Sequence, residues 1–184
     1  MGQVESLAGQ LLIAAPTLLD PNFARTVVLV AEHSPDGALG LVLNRPAGVS
    51  LGDAVPDLGA AIGSAEPVWV GGPVRPEGVL VLAEWVDPEP AAALVVGAIG
   101  LLGAEAELSE LPGTTKRVRA YAGFAGWGPG QLDDEVERED WILAPARPDD
   151  VFSDDAEGLW GGVLERMGGR YALLARMPPD PSVN

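Results

Sequence analysis

The chain has no cysteine and only one histidine among its 184 residues. Without cysteine there are no disulfides, no thiol nucleophile and no thiolate-bound metal. A long apolar run is missing too. The most apolar stretch, residues 91–104 (AAALVVGAIGLLGA), is 14 residues long and carries three glycines, whereas a membrane-spanning helix needs about 20 apolar residues. It therefore reads as a buried element, left open between helix and strand because glycine weakens both. The first ten residues (MGQVESLAGQ) have no basic region ahead of an apolar run, so no secretory signal is expected and the cytoplasm is the default compartment.

Positive charge is equally scarce. Eleven Lys and Arg stand against 27 Asp and Glu, for a net charge of −16. Binding a duplex requires a basic patch that releases counterions from the phosphates. The one basic cluster here is Lys116, Arg117 and Arg119, and Asp133, Asp134, Glu135, Glu137, Glu139 and Asp140 follow it closely. Direct nucleic-acid binding is not expected, and anionic membrane surfaces are repelled.

What is present is a globular composition, with 47% hydrophobic residues, in a length that fits one domain with a sizeable core. The expected organisation is a flexible N-terminus over residues 1–8, one domain over 9–177 and a disordered tail over 178–184. Residues 119–143 form the most informative stretch. Val118, Ala120, Ala122 and Phe124 alternate with polar or small residues, as in a strand. A turn rich in glycine follows (Gly126-Trp127-Gly128-Pro129-Gly130), then an acidic helix with Pro129 in its first turn, then a strand at residues 141–143.

Other strands are expected at residues 10–15, 26–31, 38–43, 67–70 and 78–84, with turn residues at Asp20-Pro21-Asn22 and Ser34-Pro35-Asp36-Gly37. A short helix starts at Ser50 and is stopped by Pro56, and a helical turn spans residues 148–152. A further helix runs from an N-cap at Asp154 through Leu159, Trp160, Val163, Leu164 and Met167. Strands and helices do not alternate regularly, which favours an α+β fold over a doubly wound sheet.

Three segments carry a resemblance: LLIAAPTLLDPNFARTVVLVAEHSPDGALGLVLNRP (Leu11 to Pro46), VWVGGPV (Val68 to Val74) and YAGFAGWGPGQLDDEV (Tyr121 to Val136). Together they closely resemble the YqgE/AlgH family of bacterial proteins, from about Gly9 to the final helix. The resemblance implies an α+β fold with a bent or bifurcated, mostly antiparallel sheet forming a pseudo-barrel with flanking helices. It also implies a largely uncharacterised activity; one branch of the family is described as a transcriptional regulator affecting alginate production. Without a helix-turn-helix text and at this charge, any such role is expected to be indirect. Cysteine-based roles of some members do not carry over.

The candidate site residues are Asp20, Arg25, His33, Asn44, Gly71, Gly72, Trp127 and Gln131, expected to share a surface or pocket. The family pattern contains the Asp-Pro, the Arg, the Glu-His pair and the Asn. Each has an ordinary structural role beside the functional one: Asp20 capping a turn, His33 bonding backbone in the hairpin, Asn44 holding a strand end, and the Gly71-Gly72 and Trp127 turns allowing tight packing. The Gly126–Gly130 turn lacks the spacing of a phosphate loop, and Pro129 removes a donor. The acidic runs lack a calcium-loop pattern and read as solvated faces. A non-enzymatic module that binds a small molecule or a partner protein is the expected function, without cofactor or metal. The alternatives are an enzyme on a small anionic substrate, with Arg25 as anchor and His33 as acid/base, and a transcriptional regulator.

Overall fold

The computed structural model describes residues 5–88 and 94–179. The start of the expected flexible N-terminus (1–4), the residues 89–93 and the end of the expected disordered tail (180–184) lie outside the described residues. The architecture is α+β. Ten strands form one curled, mostly antiparallel sheet: β1 (Gln10–Ala14), β2 (Val27–Ser34), β3 (Gly37–Val42), β4 (Pro46–Ser50), β5 (Pro67–Val70), β6 (Val74–Trp85), β7 (Leu94–Val96), β8 (Ile99–Leu101), β9 (Thr115–Trp127) and β10 (Trp141–Pro145). The main order is β10-β1-β2-β3-β9-β6-β8-β7, with β5 joining β9 in parallel and β4 joining β5. The curl brings β7 against β2 and the backbone at Gly9, but among the described residues no ladder closes the barrel.

β1 and β2 read as unbroken apolar runs because the sheet is covered on both faces. Leu11, Ile13, Val27, Leu29, Leu41 and Leu43 enter one core with Trp160, Val163 and Leu164. Leu12, Ala14, Val28, Val30 and Val42 enter the other with Trp127, Leu132 and Trp141. Each fully buried aliphatic side chain contributes on the order of 1.5–3 kcal/mol.

The helices are α1 (Leu51–Ala54), α2 (Pro56–Ile62), α3 (Leu111–Thr114), α4 (Gln131–Glu137), α5 (Pro148–Val151), α6 (Leu159–Met167) and α7 (Gly169–Leu174). Ser50 caps α1 as expected, its hydroxyl accepting from the Asp53 N–H at 3.3 Å. α1 ends before Pro56, and that proline also opens α2, where its fixed φ suits the first position.

Several expectations are corrected. The described part of residues 91–104 is the β7–β8 hairpin, with Gly97 at φ 53° in its turn. α4 starts at Gln131 after Gly130 at φ 72°, so Pro129 lies in the preceding turn. Asp154 does not cap α6. It pairs with Arg119 instead, while the Asp155 carboxylate accepts the Gly158 N–H at 2.9 Å. β4 and α7 were not expected from the sequence. No helix among the described residues is long and apolar enough to cross a membrane.

Candidate functional site

The eight residues chosen from the sequence fall into three places. Asp20, Arg25 and Asn44 share one corner. The Asp20 carboxylate accepts the Asn22 N–H at 2.9 Å, closing the turn. Asn44 bridges two chain segments, accepting from the Val27 N–H at 3.0 Å and donating to the Arg25 carbonyl at 2.9 Å. Arg25, at φ 56°, lies 4.3 Å over the Trp160 ring and donates to the Met177 carbonyl at 2.6 Å. Arg45 ties the corner to the carbonyls of Pro21, Asn22 and Ala24, and its burial lowers its pKa from the ordinary guanidinium value.

His33, Trp127 and Gln131 gather at the other end, around α4. Arg25 precedes the start of β2 and His33 nearly ends it, so about 25 Å separates them. The His33 Nδ1 accepts the Leu7 N–H at 2.9 Å, which fixes the proton of the neutral ring on Nε2, facing the Asp133 carboxylate at 3.4 Å. Both ring nitrogens are therefore engaged. Gln131 accepts the Gly128 N–H and donates to Glu135, whose other oxygen takes the indole N–H groups of Trp127 and Trp141 at 2.8 and 2.9 Å. Gly71 and Gly72 lie apart from both groups, where the chain crosses β9. A Cβ at Gly71 would collide with the Gly123 carbonyl oxygen, and one at Gly72 with the backbone of Phe124.

A different set of residues makes a cleft. Thr115, Lys116, Arg117, Val118 and Arg119 at the start of β9 face Ala61 and Ile62 of α2, with Pro112 and Phe152, around a volume of about 390 Å³. Arg119 is its buried back wall, 8% exposed. Its guanidinium carbon lies 4.3 Å from the centroid of the Trp69 ring, and the group donates to the carbonyls of Val151, Phe152 and Ser153, satisfying the open end of α5. Its pairing with Asp154, at 2.8 Å, completes the set.

Arg117 stacks 4.7 Å over Phe152 and pairs with Glu84 at 2.6 Å and Asp149 at 3.1 Å. The hydrogen bond to Glu84 raises its pKa from the ordinary value, so it stays cationic throughout the working range. Lys116, the chain's single lysine, is exposed and forms no ion pair among the described residues. The lining thus sets three cations against the carboxylates of Glu66 and Asp154, in a chain of net charge −16.

The AlgH-like family model matches residues 11–172, nearly the whole described fold. The chain belongs to the AlgH-like family. It is 44% identical to a UPF0301 protein of Streptomyces coelicolor, covering all of this chain and 98% of that one. It is 38% identical to a UPF0301 protein of Mycobacterium tuberculosis, covering 96% and 90%. Among solved structures, a protein of Corynebacterium diphtheriae superposes with a TM-score of 0.84 at 28% identity, covering 96% of this chain and 95% of that one. The AlgH protein of Pseudomonas aeruginosa superposes with a TM-score of 0.73 at 29% identity, covering 97% of each.

In this AlgH-like chain the cleft offers charge and shape. Thr115 gives its hydroxyl proton to the Leu111 carbonyl at 2.6 Å, and the carboxylates of the lining are those of Glu66 and Asp154, the latter paired with Arg119. No group of three or more His, Asp or Glu residues among the described residues is placed to hold a metal ion. Sequence reasoning had met Lys116, Arg117 and Arg119 only as a cluster too small for DNA. The signal available was the sole lysine beside two arginines in a strongly acidic chain. Glu135 and Tyr121 carried no sequence signal.

Proposed function

We propose that this AlgH-like chain is a non-enzymatic binding module whose cleft holds a small organic anion, a carboxylate or phosphate carried on an apolar body. The single observation that supports it most is the placement of the only lysine, without an ion pair among the described residues, at a cleft walled by Arg117, Phe152 and Ile62. The charged head is held by Lys116 and the free side of Arg117; the body packs on Ile62, Pro112 and Phe152. Arg119 positions this wall, since its donors are already committed to backbone and Asp154. The enzyme alternative with Arg25 and His33 is disfavoured by their separation and by the engagement of both side chains.

In this reading residues 9–177 act as one unit in the cytoplasm, and any regulatory effect is indirect, through the ligand bound or released. The net charge of −16 weighs against a duplex as the partner. Native and denaturing mass spectra of the protein purified from its own host test the proposal. A small anionic mass present only in the native spectrum, and absent from a folded Lys116→Glu variant, is the expected result. The same adduct on Lys116→Glu would place the ligand elsewhere and overturn the cleft assignment.

A further inference from the structure

We infer that the outer edge of β10 is an acceptor for an extended, basic segment of a partner protein, added to the sheet as an eleventh strand. This surface is separate from the cleft. β10 lies at one end of the strand order and, among the described residues, pairs only with β1. The register fixes which backbone groups are used. Ala15 N–H donates to the Asp140 carbonyl and Ala146 N–H to the Gly9 carbonyl, so the bonded pairs with β1 fall at Asp140, Ile142, Ala144 and Ala146. Trp141, Leu143 and Pro145 therefore turn their backbone groups outward. Within β10 that leaves two donors, on Trp141 and Leu143, and three carbonyl acceptors without a partner among the described residues. Pro145 has no N–H and ends the usable register.

A groove of about 440 Å³ runs along this edge, between α4 and α7. Ile142 packs with Tyr171 and Leu174 in one core, and Leu143 packs with Val136 in the other. An added strand continues both faces, so its alternating side chains find apolar contact on either side. The occupant is chosen by charge. On and just after α4, Asp133 faces His33, Glu135 holds two indoles and Asp140 pairs with Arg138. Asp134, Glu137 and Glu139 form no ion pair among the described residues, and Arg170 is the one cation lining the groove. This acidic flank recruits lysine and arginine and disfavours a second copy of a chain carrying −16.

The test uses a fluorescein-labelled peptide of alternating valine and threonine with two lysines at each end. A version with glutamates at both ends and two N-methylated versions, one for each alternate set of amides, accompany it. Anisotropy is expected to show saturable binding of the lysine peptide, weakened by salt, and none of the glutamate peptide. One N-methylated peptide is expected to bind about tenfold or more weakly, as loss of two or three ladder bonds at about 1 kcal/mol each implies, and the other to bind nearly as well. Bound peptide is expected to slow hydrogen exchange at Leu143. In the protein, Leu143→Pro removes an outward donor without touching the ladder to β1, and Glu137→Gln with Glu139→Gln weakens binding severalfold. Equal binding of both N-methylated peptides would overturn the inference. So would no binding at all, or a Leu143 amide already protected in a self-associated protein.

Discussion

Removing the Glu135 carboxylate is expected to destabilise the fold far beyond what a helix-surface glutamate ordinarily would. One of its oxygens accepts the indole N–H groups of Trp127 and Trp141, at 2.8 and 2.9 Å, and the other accepts Gln131 at 3.0 Å. The two indoles are 7% and 4% exposed and stack edge-on with centroids 6.2 Å apart, with Phe23 closing the cluster. Glu135→Ala leaves two buried donors without an acceptor. At about 1–3 kcal/mol for each orphaned group the loss is roughly 2–6 kcal/mol, toward the lower end because Glu135 is half-buried and water reaches the gap. Glu135→Gln keeps a carbonyl acceptor and is expected to lose about 1–2 kcal/mol. Urea denaturation followed by far-ultraviolet circular dichroism measures both. In a double-mutant cycle with Trp127→Phe, part of the Glu135→Ala cost is expected to disappear, since one orphan is already gone. A Glu135→Ala loss below about 0.5 kcal/mol, the range of an ordinary surface substitution, would refute the reasoning.

Three further outcomes are expected. Gly71→Ala is expected to cost at least about 2 kcal/mol, or to prevent folding, because its Cβ meets the Gly123 carbonyl; a thermal melt within a degree of the parent would contradict this. Tyr121→Phe is expected to leave stability unchanged or raise it by up to about 1 kcal/mol. The buried hydroxyl has no hydrogen-bond partner among the described residues, and burial pushes its pKa well above the usual phenol range despite nearby Arg119. Asn44→Ala is expected to cost about 1–3 kcal/mol by orphaning the N–H of buried Val27, and to speed hydrogen exchange at that amide.

The strands were legible where side-chain type alone decides. β1, β2, β3 and β5 are β-branched or aliphatic runs closed by turn residues; β1, β3 and β5 lie within a residue of where the pattern puts them, and β2 runs three residues past it to Ser34. The hairpin at Gly97 was hidden because its glycines weaken helix and strand alike. β4, written PAGVS, has no apolar period; it is held by pairing with β5. α7 opens at Gly169 and buries no residue fully, so it too lacks a stripe. The site was less legible than the fold. Asp20, Asn44 and His33 stand out by residue type, yet their partners are backbone groups whose positions only the fold supplies. Arg119 meets the end of α5 across more than thirty residues, and Glu135 looked like one acid in a solvated run until the two indoles were placed on it. Long-range satisfaction of this kind leaves no local pattern to read.

The most direct measurement on the cleft follows Lys116 itself. Reductive methylation with carbon-13 keeps its charge and gives the chain's single lysine one dimethylamine signal, distinct from that of the α-amine. Titration with phenyl phosphate, an anion on a planar apolar body, is predicted to move that signal saturably in the folded protein and not in the urea-unfolded one. An unmoved signal, or the same linear drift in both states, would contradict the assignment of the cleft as an anion site.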